Sequence, residues 1–161
     1  MNQTPSKLLH AIALISVLAV CVALVSQHVF GMRPCAWCVM QRLLYLLIAI
    51  CCWLGLLLRR WRPAETLATV AAAALGICGV MSAWYQYSVA SNMFSCDRTF
   101  ADKFMVGLGL DAHLPWLFGI FASCADARVK VLGVEYAIWS LILFALLTLA
   151  ALSALARPRR A

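Results

Sequence analysis

Four stretches of this chain, residues 8–29, 39–58, 67–89 and 134–155, are each long and apolar enough to cross a bilayer as a helix. Nothing else in the sequence constrains the fold as strongly. Inside the hydrocarbon layer every backbone N–H and C=O needs a protein partner, and runs of this length meet that need as helices. A soluble domain could not absorb them, because 65% of the 161 residues are hydrophobic and only 12% are charged. The expected fold is an all-α membrane protein, a single integral domain over residues 1–161 built as a bundle of four transmembrane helices. The first run has the basic start of a secretory signal, but it is long for one and no small-x-small cleavage site follows. In Leu18-Ala19-Val20-Cys21, Val20 is too large for a lipoprotein box. This run is therefore read as the first span.

The net charge of +7 does not point to nucleic acid, because the basic residues fall at the ends of apolar runs and form no stripe. Four spans put both termini and the turn Arg59-Arg60-Trp61-Arg62-Pro63 on one side, with the connections 30–38 and 90–133 on the other. Lys7, Arg59, Arg60, Arg62, Arg157, Arg159 and Arg160 crowd the terminal side in short segments. Arg33, Arg42, Arg98, Lys103, Arg128 and Lys130 are spread more thinly over the other. The positive-inside tendency makes the terminal side cytoplasmic. Cysteine usage agrees, since exposed cysteine pairs persist as disulfides outside the cytosol.

The eight cysteines divide by place. Cys21, Cys51, Cys52 and Cys78 sit within apolar runs, where cysteine is a small inert hydrophobe. Cys35, Cys38, Cys96 and Cys124 belong to the connections. Cys35 and Cys38 form a Cys-x-x-Cys inside Pro34-Cys35-Ala36-Trp37-Cys38-Val39-Met40-Gln41-Arg42, a spacing that can close into a disulfide and reopen. Zinc is disfavoured, since no second Cys/His pair stands at ligand spacing, and no metal is expected. A helix starting near Cys38 puts that thiol on the first turn, where unpaired N–H groups favour a thiolate. Arg42 is four residues on, on the same helical face. It is either a snorkelling interface anchor or a ligand group, and spacing leaves both readings open. An electron acceptor that lives in lipid would fit between them.

The third run carries Gly76, Gly79 and Ser82, small residues that let neighbouring helices approach. It ends in Trp84-Tyr85-Gln86-Tyr87, a cluster that reads first as an interfacial belt. In the long connection, residues 114–121 are too short a run to span. They are expected to lie as a short helix on the membrane surface, with Trp116 and Phe118 in contact with it.

Taken together, an apolar span, P-C-x-x-C-x-x-Q-R, a second span, a basic turn, a third span, a long loop with two further cysteines and a last span resemble the DsbB family. These are quinone-dependent inner-membrane thiol oxidases that regenerate the periplasmic disulfide donor DsbA. Leu132-Gly133-Val134-Glu135 and Trp139-Ser140, after the final cysteine, are also similar to the family. The resemblance implies a protein-disulfide oxidoreductase in a bacterial inner membrane, with cytoplasmic termini and periplasmic cysteine loops. It implies that Cys35 and Cys38 are the quinone-side pair, Cys96 and Cys124 the partner-side pair, and Arg42 part of the quinone site. Some members carry a histidine at the end of the third helix that assists quinone binding. Here Tyr87 stands there beside Gln86, and the resemblance leaves open which of the two donates the hydrogen bond in its place. The implied partners are a DsbA-like oxidoreductase, the bilayer and its quinone pool, either ubiquinone or menaquinone. Asp126 and Arg128-Val129-Lys130 make the segment after Cys124 more charged than the family pattern.

Other classes fit less well. A paralogue dedicated to one specialised DsbA-like partner would share all these features. A transmembrane thiol-reductant carrier would need its reactive cysteines within the helices. A b-type haem protein would need facing histidines, whereas His10 and His28 sit near opposite ends of one run and His113 lies in a loop. A scaffold with structural disulfides would leave the Cys-x-x-Cys and Arg42 without a role.

Overall fold

The computed structural model describes residues 4–58, 60, 62–90 and 99–156. Three long helices come first: α1 (Thr4–His28), α2 (Ala36–Leu57) and α3 (Arg62–Ser88). The long connection then holds three short helices, α4 (Phe100–Gly107), α5 (Leu110–His113) and α6 (Pro115–Phe118), and a small hairpin of β1 (Lys130–Val131) and β2 (Val134–Glu135). The chain closes with α7 (Tyr136–Ala156). The four long helices are each long and apolar enough to span a membrane.

Three of the four start earlier than their apolar runs, because hydropathy marks only the lipid-embedded part of a helix. The first turn of α3, for example, carries Glu65, whose charge complements the helix dipole. The last span behaves differently, starting at Tyr136 because the preceding residues pair as strands, with Val131 opposite Val134. Apolar content alone gave no sign of that hairpin. Its turn has φ 54° at Leu132 and 82° at Gly133, the positive pair of a type I′ turn. Leucine is a poor choice there, at about 1–2 kcal/mol for its Cβ in the left-handed region.

The long helices pack in the order α1, α2, α3, α7, with α7 closing back on α1. Leu9, Ile12, Ile48, Phe144 and Leu147 fill the centre. Lipid gives no hydrophobic drive for helices to associate, so close packing must hold them. Gly79 lies against the ring of Phe144 and Gly76 against Thr148, so closely that a Cβ at either would overlap its neighbour. Phe144 in turn stacks on Tyr45 at a centroid distance of 4.0 Å, and the Tyr45 hydroxyl meets Ser140 Oγ at 3.1 Å.

A second, smaller core sits at the cysteine-bearing end. Ala101 and Met105 of α4, Phe118 of α6 and Cys124 close over Cys35, Trp37 and Val39. Thr99 and Asp102 form a capping box that fixes the start of α4. His28 pairs with the Trp116 carbonyl at 3.0 Å, and the Phe121 N–H donates to Pro34 O at 3.0 Å, pinning the long connection to the first. The run 114–121 is therefore two-faced, which differs from the expectation of a surface helix. Leu114, Trp116 and Phe121 are exposed, whereas Phe118 turns inward and is buried. In consequence Phe118 is part of the cover over the cysteines.

Gly79→Ala should displace Phe144 and lose about 1–3 kcal/mol of stability by overpacking. Thermal unfolding in detergent checks this, with Gly107→Ala as the control, because nothing lies within 4 Å of a Cβ there.

Candidate functional site

The site begins where α2 begins. Cys35 is its N-cap, with extended backbone at φ −90° and ψ 172°, so Cys35 stands outside the helix and Cys38 lies within its first turn. The two Sγ atoms are 3.1 Å apart, a thiol–thiol contact. Cys35 is fully buried, and Cys124 reaches it from the long connection to within hydrogen-bonding range. Hydrogen bonding with Cys124, then with Cys38, then burial push the Cys35 thiol well above the ordinary thiol pKa. Three of the four loop cysteines are thus in one cluster. Cys96 lies outside the described residues.

Cys38 has different company. The amide of Gln86, from the end of α3, donates to its Sγ at 3.1 Å, and Gln86 Oε1 accepts from Gln41 Nε2 at 2.8 Å. Gln86 and Gln41 are both buried. Tyr87 is a helical step further round α3, and its ring packs near Trp84 at 6.3 Å. The contact to the sulfur is made by Gln86.

Arg42, one turn after Cys38, is only 5% exposed. Its Nη1 donates to Gln27 Oε1 at 2.6 Å and to the Leu117 carbonyl at 2.9 Å, and Nη2 reaches Ala23 O at 3.4 Å. The remaining N–H groups of the guanidinium have no hydrogen-bond partner among the described residues. No carboxylate pairs with it among them either, since Glu135 pairs with Arg128 at 3.5 Å. Buried charges are ordinarily paired, so a buried guanidinium held only by neutral acceptors is set up to meet an anion or a strong acceptor. Gln27 was not singled out in the sequence, and Gln41 entered only as the Q of P-C-x-x-C-x-x-Q-R, with no role attached. The available signal was an amide near the end of each of two apolar runs, since polar groups within spans tend to face the bundle interior.

Cys38, Arg42 and Gln86 face a cleft of about 420 Å³. Its walls are apolar, from Leu18 and Val22 on α1 and from Trp139 and Leu143 on α7. Leu18, Val22 and Trp139 are also exposed on the outside of the bundle, so the cleft opens sideways towards lipid. The same three site residues line a second, smaller cavity shared with Arg33, Cys124, Arg128 and Glu135 at the loop end.

Four spans carrying a cysteine cluster over a buried arginine define a multi-pass membrane protein of the thiol–disulfide oxidoreductase class. A family model described as disulfide bond formation protein DsbB matches residues 5–154, and the chain belongs to this family. Disulfide bond formation protein B of Verminephrobacter eiseniae (strain EF01-2) is 31% identical over 164 residues, covering 99% of this chain and 90% of the relative. The protein of that name from Polaromonas naphthalenivorans (strain CJ2) is 31% identical, covering 98% and 95%. Disulfide bond formation protein B 2 of Pseudomonas aeruginosa PAO1 is 31% identical over 154 residues, covering 93% and 90%.

The raised Cys35 pKa gives a pH prediction. With the pKa above the ordinary range, Cys35 in the reduced protein stays a thiol through neutral pH, and its alkylation rises only in strongly alkaline buffer. Cys124→Ala removes the largest cause, so the midpoint of Cys35 alkylation should move down in pH. Mass-spectrometric alkylation profiles across pH check the sign, and an unmoved midpoint would leave the hydrogen bond with Cys38 and burial as the causes.

Proposed function

We propose that the protein reoxidises a periplasmic DsbA-like donor by passing an electron pair through Cys96/Cys124 and then Cys35/Cys38 to a membrane quinone. The observation that carries this reading is Arg42: buried, without a carboxylate partner among the described residues, and beside Cys38 in a cleft open to lipid.

The residues present fit a quinone. The cleft volume lies within the usual range for small-molecule sites, about 300–1,000 Å³. Its walls suit an isoprenoid tail, and its polar end offers the N–H donors that a ring carbonyl accepts. Arg42 would hold the ring, with Gln41 and Gln86 fixing the wall beside Cys38. A bound quinone supplies a two-electron acceptor whose oxygens take up two protons.

Thiol–disulfide exchange accounts for the rest. A thiolate of the reduced donor attacks Cys96, forming a mixed disulfide and releasing Cys124 as thiolate. Cys124 attacks Cys35, forming Cys124–Cys35 and breaking Cys35–Cys38, so Cys38 leaves with the electron pair. The donor's second thiolate then resolves the mixed disulfide and leaves oxidised. Cys96, freed, attacks Cys124, restoring Cys96–Cys124 and releasing Cys35. The charge left on Cys38 falls on the sulfur that accepts from Gln86 and lies on the first turn of α2, near Arg42.

The test is reconstitution: purified protein, a reduced DsbA-type dithiol donor and a soluble quinone, with quinone absorbance followed. Turnover is expected, and its absence with folded protein would overturn the reading. Arg42→Met should raise the quinone KM about 10- to 150-fold, the worth of a charge-assisted hydrogen bond. Exchange between donor and loop should stay nearly intact. Arg42→Lys should recover only part, because a point charge lacks the planar fork. An arginine that served only as an interface anchor would be replaced fully by lysine, and Met would lower the folded yield instead.

Orientation is tested separately. Cysteine introduced at His113, exposed in the long connection, should react with a membrane-impermeant thiol reagent in intact spheroplasts. Cysteine at the exposed Arg60 should react only after lysis. The reverse result would place the cysteine loops in the cytoplasm and remove the periplasmic donor.

A further inference from the structure

The hairpin before α7 has a feature that thiol chemistry does not explain. Its tip residue, Leu132, is 87% exposed, more than any other large hydrophobic residue among those described. It also occupies a left-handed backbone position, φ 54°, that asparagine or glycine would take with less strain. An apolar side chain is thus kept at a turn position that disfavours it, with no protein core around it. Strained positions persist where the surroundings over-determine them, and they concentrate at functional sites.

Its location narrows the role. Leu132 and Val131 border the same cleft as Cys38 and Arg42. The Val131 carbonyl accepts from the Trp139 indole N–H at 3.1 Å, which ties the hairpin to the first turn of α7. A half-exposed tryptophan at the end of a span is an interfacial anchor, so the strand bonded to it sits at headgroup depth. Across the cleft stand Ile15 and Leu18 of α1, both exposed on the lipid side. The surface next to the hairpin tip is therefore lipid-facing on both flanks.

We propose that Leu132 is inserted into the bilayer as the rim of the cleft's lateral mouth, and that it favours quinones carrying an apolar tail over tail-less ones. This rests on the quinone reading of the cleft. The tip gives a tail an apolar surface to follow from lipid into the cleft, with no contact to the ring. Trp139 holds the base of the hairpin, and the left-handed turn aims the side chain outward.

Two measurements test it. Benzoylphenylalanine in place of Leu132, irradiated in proteoliposomes of phosphatidylethanolamine and phosphatidylglycerol, should give a protein carrying the mass of a phospholipid. The same probe at His113 should not. Absence of the lipid adduct at 132 overturns the insertion, whatever the cleft binds. Leu132→Asn keeps the left-handed backbone and removes the apolar tip. It should raise the KM for a long-tailed quinone in those vesicles about 3- to 10-fold, the worth of part of a leucine's burial. The KM for a tail-less quinone should change less than about twofold, and Leu132→Met should restore the long-tailed value. Equal changes for both quinones, or none, would remove the selectivity. Failure of the wild type to reduce either quinone would instead defeat the quinone reading, while the lipid adduct would still decide the insertion.

Discussion

The guanidinium of Arg42 is the interaction on which the cysteine-bearing end of the molecule depends. Its Nη atoms reach three acceptors on two other pieces of chain, Gln27 and Ala23 on α1 and Leu117 in α6, while the residue itself belongs to α2. A charge buried in a bilayer-spanning bundle is costly unless its hydrogen bonds are met. Here neutral acceptors meet several of them, and that requirement brings α6 down onto the start of α2. Phe118, the next residue after Leu117, is thereby buried over the cysteines, and Pro34 and Phe121 are drawn into backbone contact. The long connection is folded around a positive charge as much as around a core.

Hydropathy sufficed for the four spans, because a run that long has one way to satisfy its backbone in lipid. It did not suffice for their ends. The α2 helix takes in Ala36 and Trp37 ahead of its apolar run, which makes Cys35 the cap and leaves only Cys38 inside the helix. The hairpin was invisible for a different reason: two-residue strands carry too little pattern to register, and its turn breaks the usual residue preference at Leu132. Gln86 could have been separated from Tyr87 by helical period alone. Ser82, Gln86 and Ala90 are buried at intervals of four, whereas Tyr87 is rotated off that face. Gln27 needed the tertiary structure, since nothing local says which amide in an apolar run will find a guanidinium.

The segment 114–121 shows the limit of composition most clearly. Its apolar residues are consistent with a surface helix, and Trp116 and Phe121 do face outward. Yet Leu117 contributes a backbone carbonyl to Arg42, a role that any residue could fill and that no side-chain pattern can announce. The same holds for Ala23.

The two cavities suggest why the proposed relay would use the two sulfurs of the Cys-x-x-Cys differently. Both cavities are lined by Cys38, Arg42 and Gln86, and Cys35 lines neither. One of them continues towards Cys124, Arg128 and Glu135 at the loop end, and the other towards lipid. Cys35 is closed in by Cys124 and its cover, and its raised pKa makes it a poor nucleophile but leaves it open to attack when it is part of a disulfide. Cys38 alone of the pair is in contact with both sides. An electron pair arriving from Cys124 would therefore enter at the sealed sulfur and be released at the sulfur that borders the membrane. That asymmetry requires the first cysteine outside the helix and the second one inside its opening turn, the arrangement that the start of α2 at Ala36 produces.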